Sequence, residues 1–198
     1  MEKAIQFFKS HHGYALLKEL KQGGIHTDTV RKLLQQGIIR KVKPGLYKLS
    51  DLEELPETRL VEICLSMPLA VICLHSALQY YELTRVPSPH LMAALPRESK
   101  PGSVLPAQVQ IYFFAGKNHR VGIEEVQTST GLIRIYNPEK TIVDCFRYRN
   151  KLGLDLAIEG LKNYLARLQH DTGKLIDYAR QGRMFNVMKP YLDTLIRV

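Results

Sequence analysis

The sequence is poor in cysteine and has no long apolar run. Its three cysteines, Cys64, Cys73 and Cys145, stand in apolar contexts without CxxC spacing. That excludes a disulfide framework and predicts reduced core residues of a cytosolic protein. The longest apolar stretch, Met67 to Leu74, is interrupted by Pro68 and is too short to cross a membrane. Met1-Glu2-Lys3 leads straight into an amphipathic pattern without the apolar core of a signal peptide, so a cytoplasmic location is expected. Missing too are a phosphate-cradling glycine loop, a zincin motif, a nucleophile elbow and a dinucleotide fingerprint. No repeat and no low-complexity tract is visible. Nothing in the chain calls for a cofactor or a metal, and no catalytic residue is assigned.

What the chain does have is unevenly spread charge. Residues 1–50 hold ten Lys and Arg against Glu2, Glu19 and Asp28, which is +7 of the chain's net +9. The remaining 148 residues hold eighteen against sixteen. A basic field focused on one small end is the electrostatic footprint of a phosphate-binding module; the competing reading is a solvated lysine-rich surface. At 198 residues, 45% apolar and 24% charged, the chain can bury a core and divide into a small and a medium domain.

Periodicity orders the basic end. A helix is predicted over Glu2–Ser10 with Ile5 and Phe8 inward, broken at His11-His12-Gly13. A second is predicted over about Tyr14–Lys21, with Leu16, Leu17 and Leu20 as its inner stripe, ended by Gly23-Gly24. Thr27 is the expected N-cap of a third helix reaching about Gln36, with Val30, Leu33 and Leu34 inward and Gly37 closing it. Ile38–Val42 and Leu46–Leu49 read as strands joined by Lys43-Pro44-Gly45. Helix, helix, glycine turn, helix and tight basic hairpin is the winged helix-turn-helix order, in which the third helix enters the major groove of double-stranded DNA. The outward residues suit that use. Thr29, Arg31, Lys32, Gln35 and Gln36 can bond base edges or phosphates, and Arg40, Lys41, Lys43 and Lys48 on the hairpin suit phosphate oxygens. The alternative is a winged helix that binds protein.

Asp51–Glu57, acidic and carrying Pro56, is the expected joint, dividing the chain into a DNA-binding domain over 1–53 and a second domain over 54–198. In the second, Arg59–Ser66 looks helical and Ser76 is the expected cap of a helix over Ser76–Leu83. His90–Leu95 and Val109–Ala115 are strand-like, separated by a loop holding Arg97, Lys100 and Pro101; with Lys117, His119 and Arg120 these form either a second basic patch or solvated loop charges. Ile123–Thr128 and Leu132–Tyr136 look like a hairpin. Asn137 caps and Pro138 opens a helix with Ile142, Val143 and Phe146 as its buried stripe. Leu154, Ile158, Leu161, Leu165 and Leu168 mark another, and shorter helices are expected near Leu175–Arg180 and Val187–Arg197. The fold class is α+β: a winged helix followed by a mixed domain with a small, mainly antiparallel sheet packed on helices.

Residues for chemistry are few. Asp144 is either a catalytic or metal carboxylate or, as favoured here, an anchor holding its helix to the sheet. His75 beside Leu74 reads as a packed, hydrogen-bonded core residue. A nuclease or nucleotide-processing enzyme would need an acid–acid–lysine set on strands. Of the chain's two Glu-x-Lys runs, Glu19-Leu20-Lys21 lies in the basic end and Glu98-Ser99-Lys100 in the loop after the strand-like His90–Leu95, neither of them on a strand.

Three runs carry a family resemblance. The first is Gly24-Ile25-His26-Thr27, Val30-Arg31-Lys32-Leu33, Gly37-Ile38-Ile39-Arg40-Lys41-Val42 and Pro44-Gly45-Leu46-Tyr47. The second is Cys73-Leu74-His75-Ser76-Ala77-Leu78 followed by Leu83-Thr84. The third is Ile135-Tyr136-Asn137-Pro138-Glu139-Lys140-Thr141-Ile142-Val143-Asp144, with a Thr-x-x-Asp signature. In this order and spacing the chain resembles AbiEi-type antitoxins of abortive-infection phage-defence systems. The resemblance implies a non-enzymatic transcriptional regulator of viral defence that represses its own operon through the winged helix. It also implies a C-terminal domain that counters a nucleotidyltransferase toxin without requiring a direct complex.

Overall fold

The computed structural model describes residues 1–100 and 108–196. Pro101 and Arg197, placed above in a loop and at a helix end, lie outside the described residues. In chain order the elements are α1 (Glu2–Ser10), β1 (Tyr14–Leu16), α2 (Leu17–Gln22), α3 (Thr27–Gln35), β2 (Ile39–Lys43), β3 (Leu46–Leu49) and α4 (Thr58–Ser66). There follow β4 (Val71–Ile72), α5 (Leu74–Tyr80), β5 (Leu91–Pro96), β6 (Val109–Phe114), α6 (Gly116–Arg120), β7 (Ile123–Thr128) and β8 (Gly131–Tyr136). The chain then runs through α7 (Pro138–Arg147), α8 (Arg149–Leu152), α9 (Leu154–Leu165), α10 (Thr172–Gln181) and α11 (Phe185–Leu195). Contacts divide the chain into two compact units, with Met1–Leu69 and Val126–Ile133 in the first and Ala70–Ser99, Gln108–Glu125 and residues from Arg134 onward in the second. By contacts the first change of unit falls after Leu69, and α4 groups with the basic end. Proline and acid at 51–57 mark a turn between elements of one unit.

The first unit buries Phe8, Leu20, Val30, Leu33 and Ile39 in one core, each at most 2% exposed. Tyr14–Leu16 is a strand where a helix start was expected. Gly13, at φ +83°, turns the chain out of α1, and β1 then pairs antiparallel with β3 in the register Tyr14↔Lys48 and Leu16↔Leu46. The helix begins only at Leu17, where the Glu19 carboxylate accepts the Leu16 N–H at 3.0 Å. With β2 on its other side, β3 is the middle strand of a three-stranded antiparallel sheet, and all four of its residues are buried. The N-cap of α3 is His26, one residue before Thr27, and no side-chain bond closes it. Its other end follows expectation. Gly37 sits at φ +68°, and Gly37 N–H and Ile38 N–H bond the carbonyls of Leu34 and Leu33 at 3.1 and 3.0 Å, a paired cap that needs a left-handed residue.

The second sheet has five strands in the order β6-β5-β4-β8-β7. The expectation of a mainly antiparallel sheet is corrected: β5 runs antiparallel to β4 but parallel to β6, and β4 runs parallel to β8. Val71–Ile72 is too short for periodicity to mark it. Helix α5 starts at Leu74, so Ser76 lies inside it and is no cap; its buried hydroxyl accepts the Met92 N–H at 2.8 Å. Asn137 does cap α7, accepting the Lys140 N–H at 2.9 Å, with Pro138 in the first turn where its missing donor costs nothing. This helix is not striped. Every residue from Glu139 to Phe146 is buried, so it runs through the interior of its unit. Helix α9 ends at Leu165, leaving Leu168 fully exposed beyond it instead of on the buried stripe.

Candidate nucleic-acid interface

Helix α3 is sorted by its own periodicity. Val30 and Leu33 enter the core, which leaves Lys32, Gln35 and Gln36 on the solvent side. These three side chains make no hydrogen bond or ion pair among the described residues, so one cation and two amides stand free to bond. Arg31 is also exposed but pairs with Asp28 at 3.1 Å, one turn back on the same helix. With both groups more than 60% exposed, that pair holds the guanidinium only weakly. Thr29 is half-buried.

The hairpin is different. Lys41 is exposed and unpartnered among the described residues. Arg40 pairs with Glu54, and the Lys43 ammonium donates to the Ser66 carbonyl at 2.5 Å. Lys48 is corrected outright. It is 6% exposed, and its ammonium lies 2.8 Å from the Glu54 carboxylate and 2.5 Å from that of Glu62. As a residue of the middle strand it faces protein where a hairpin edge would face solvent. A phosphate reaching it would have to displace both carboxylates. The Lys48 ammonium in turn holds the Glu54 carboxyl below the usual carboxylate range. Burial, reinforced by the Glu62 and Glu54 charges, pushes the neighbouring Tyr14 phenol up, and its hydroxyl points at Glu62. The acid run after the hairpin was the available signal that some of its lysines would be neutralised.

In the second unit the residues weighed for chemistry are buried. Asp144 is inaccessible; it pairs with Lys140 one turn before it and lies 3.6 Å from Arg147 Nε one turn after it. Its partners are thus on its own helix, not on the sheet. Burial raises the Asp144 carboxyl and lowers the Lys140 ammonium, each opposed by the other's charge. Lys140 also lies over the rings of Phe114 and Tyr136, 5.1 and 4.7 Å from their centres. His75 is buried, with Nε2 2.9 Å from the Val86 carbonyl, and burial lowers its pKa. Among the described residues no helix is long and apolar enough to cross a membrane.

The free side chains of α3 and the helix–strand–helix–helix–hairpin order meet a sequence match over the same segment. Residues 2–49 match the family described as transcriptional regulator, AbiEi antitoxin. The AbiEi match thus spans α1 through β3 and includes every residue picked out above on α3 and the hairpin. The fold is similar to that in the crystal structure of the RV2827C protein from Mycobacterium tuberculosis, with a TM-score of 0.51 over 97% of this chain and 80% of that one. Sequence identity to it is 14%, so this likeness concerns architecture. No curated protein sequence matches the chain.

Proposed function

We propose that the AbiEi-like unit is a winged helix-turn-helix that binds double-stranded operator DNA with α3 in the major groove and represses its own operon. The observation that carries this reading is the set of unpartnered donors and acceptors, Lys32, Gln35 and Gln36, on one exposed face of a helix closed by a glycine cap. Arg31 joins them by giving up a weak surface pair, and Thr29 lies at their edge. On the hairpin the phosphate contact is Lys41. Arg40 and Lys43 contribute only by exchanging their present partners, and Lys48 serves the fold. The second unit, in this proposal, counters a nucleotidyltransferase toxin without requiring a stable complex, and the protein acts in the cytoplasm as a non-enzymatic antitoxin of viral defence.

The test is DNA binding by the full chain. Lys32→Ala and Gln36→Ala should each weaken operator binding, by about 1–3 kcal/mol for the correct base where the side chain reads one. Lys41→Ala should weaken all duplexes alike and reduce the slope of log affinity against log salt by about one unit. Operator affinities unchanged by both α3 substitutions would remove α3 from the interface.

A further inference from the structure

Helix α10 ends in a left-handed cap that does not use glycine. Arg183 N–H and Met184 N–H bond the carbonyls of Arg180 and Ala179 at 3.0 and 2.7 Å, the same paired cap that closes α3. The left-handed position this cap needs is usually glycine's, yet here Arg183 occupies it at φ +55°. A conformational penalty retained at a non-glycine residue points to a use for its side chain. That side chain lines a cavity of about 350 Å³ together with Arg97 and Arg147.

Each of the other two arginines is positioned by backbone. Arg97 leaves the end of β5 with its N–H bonded to the Phe114 carbonyl at 2.8 Å. Arg147 donates through Nη2 to the Gly182 carbonyl at 2.7 Å, and a Cβ at Gly182 would stand 2.8 Å from that nitrogen, so glycine is what admits the guanidinium. Among the described residues no acidic side chain lines the cavity. The side chains of Arg97 and Arg183 have no hydrogen bond or ion pair among the described residues, and Arg147 has Asp144 beside it. The amides of Asn118 and Gln181 also line it, without a hydrogen-bond partner among the described residues, and Phe113, 42% exposed, forms part of its wall. Asn118 and Gln181 are shared with a second cavity of about 290 Å³ that adds Lys117 and Lys140. This charge is gathered in a region whose overall balance, residues 51–198, is only +2.

We propose that this groove binds a nucleotide, its phosphates gripped by Arg97, Arg147 and Arg183 and its base laid on Phe113 with its edge bonded by Asn118 and Gln181. Three arginines lining one concavity concentrate positive charge there, only Arg147 having a carboxylate beside it, and their planar donors match phosphate oxygens. An exposed aromatic face beside them supplies the stacking surface that a bare anion does not need. The volume suits a small ligand and is too small for a duplex. The site lies wholly in the second unit, so it stands or falls independently of the DNA reading.

The experiment is calorimetric titration of the full-length protein with ATP and GTP, and with inorganic triphosphate and adenosine as partial ligands. One or both nucleotides should bind saturably at one site, more weakly as salt rises, while adenosine alone should not bind. Arg183→Gly is the decisive variant, because glycine suits φ +55°. Its melting temperature should be no lower than that of the parent, while nucleotide affinity falls about tenfold or more. Phe113→Ala should weaken the nucleotide but not triphosphate. No saturable binding of either nucleotide, or an affinity unchanged by Arg183→Gly, overturns the proposal. So does triphosphate binding as tightly as the nucleotide with Phe113→Ala neutral, which would make the groove a bare anion site.

Discussion

Asp144 and Lys140 show how much a buried charge depends on its partner. Both side chains are at most 4% exposed, so removing Asp144 leaves Lys140 buried without its ion-pair partner. Asp144→Ala should therefore cost about 3–5 kcal/mol of stability in denaturant melts, whereas Asp144→Asn paired with Lys140→Met should recover most of that loss. His75 makes a prediction of its own about pH. Burial lowers its pKa, so the folded protein holds the neutral ring while the unfolded chain takes up a proton first as pH falls. That contribution to stability is complete above the unfolded value of about 6.5 and is lost as pH falls through the lower folded value. The melting temperature should drop on acidification from about pH 7.5 to pH 5.5, and it should drop less in His75→Gln. An equal drop in both proteins would assign the pH dependence to other groups.

At the scale of elements, two glycines separate backbone strain from crowding. Gly37 closes α3 at φ +68° with nothing within 4 Å of where a Cβ would stand. Gly37→Ala should cost only the left-handed penalty, about 1 kcal/mol. Gly131, at φ +143°, would place its Cβ 2.9 Å from Val61 Cγ1, so Gly131→Ala adds a clash to the strain and should lower the melting temperature further. Elements of this kind were largely legible in the sequence, because α1, α3, α4, α7 and the basic hairpin each carry several turns of periodicity or a cap. Shorter elements were not. Tyr14-Ala15-Leu16 continues a helical apolar spacing, and only its pairing with β3 makes it a strand. Val71–Ile72 is short, and its parallel pairing with β8 joins residues more than sixty positions apart, which no local pattern records. The outward face of α3 could be read because periodicity alone decides it. The hairpin cations could not, since their availability depends on Glu54, Glu62 and the Ser66 carbonyl, outside the window that suggested them.

For the whole molecule, the ion pairs of Lys48 decide where the chain can be cut. A fragment ending at residue 53 keeps the lysine buried in its middle strand but removes Glu54 and Glu62. It should melt well below the intact first unit in circular dichroism, even though it contains all of residues 2–49 matched by the AbiEi family. A 1–53 fragment as stable as the full chain would show that the pairs hold nothing together. A fragment starting at residue 55 carries the opposite fault. It takes α4, with Leu60, Val61, Ile63 and Cys64 buried in the intact protein, away from the unit it belongs to. The unit-wise division also spreads the cysteines usefully, because Cys64 lies in the first unit and Cys73 and Cys145 in the second, all buried and none in a disulfide. A thiol reagent can reach none of them until the surrounding structure opens. The protein thus carries its own labels for following that opening: alkylation at Cys64 clocks the loosening of the first unit, and alkylation at Cys73 and Cys145 that of the second, without a single substitution.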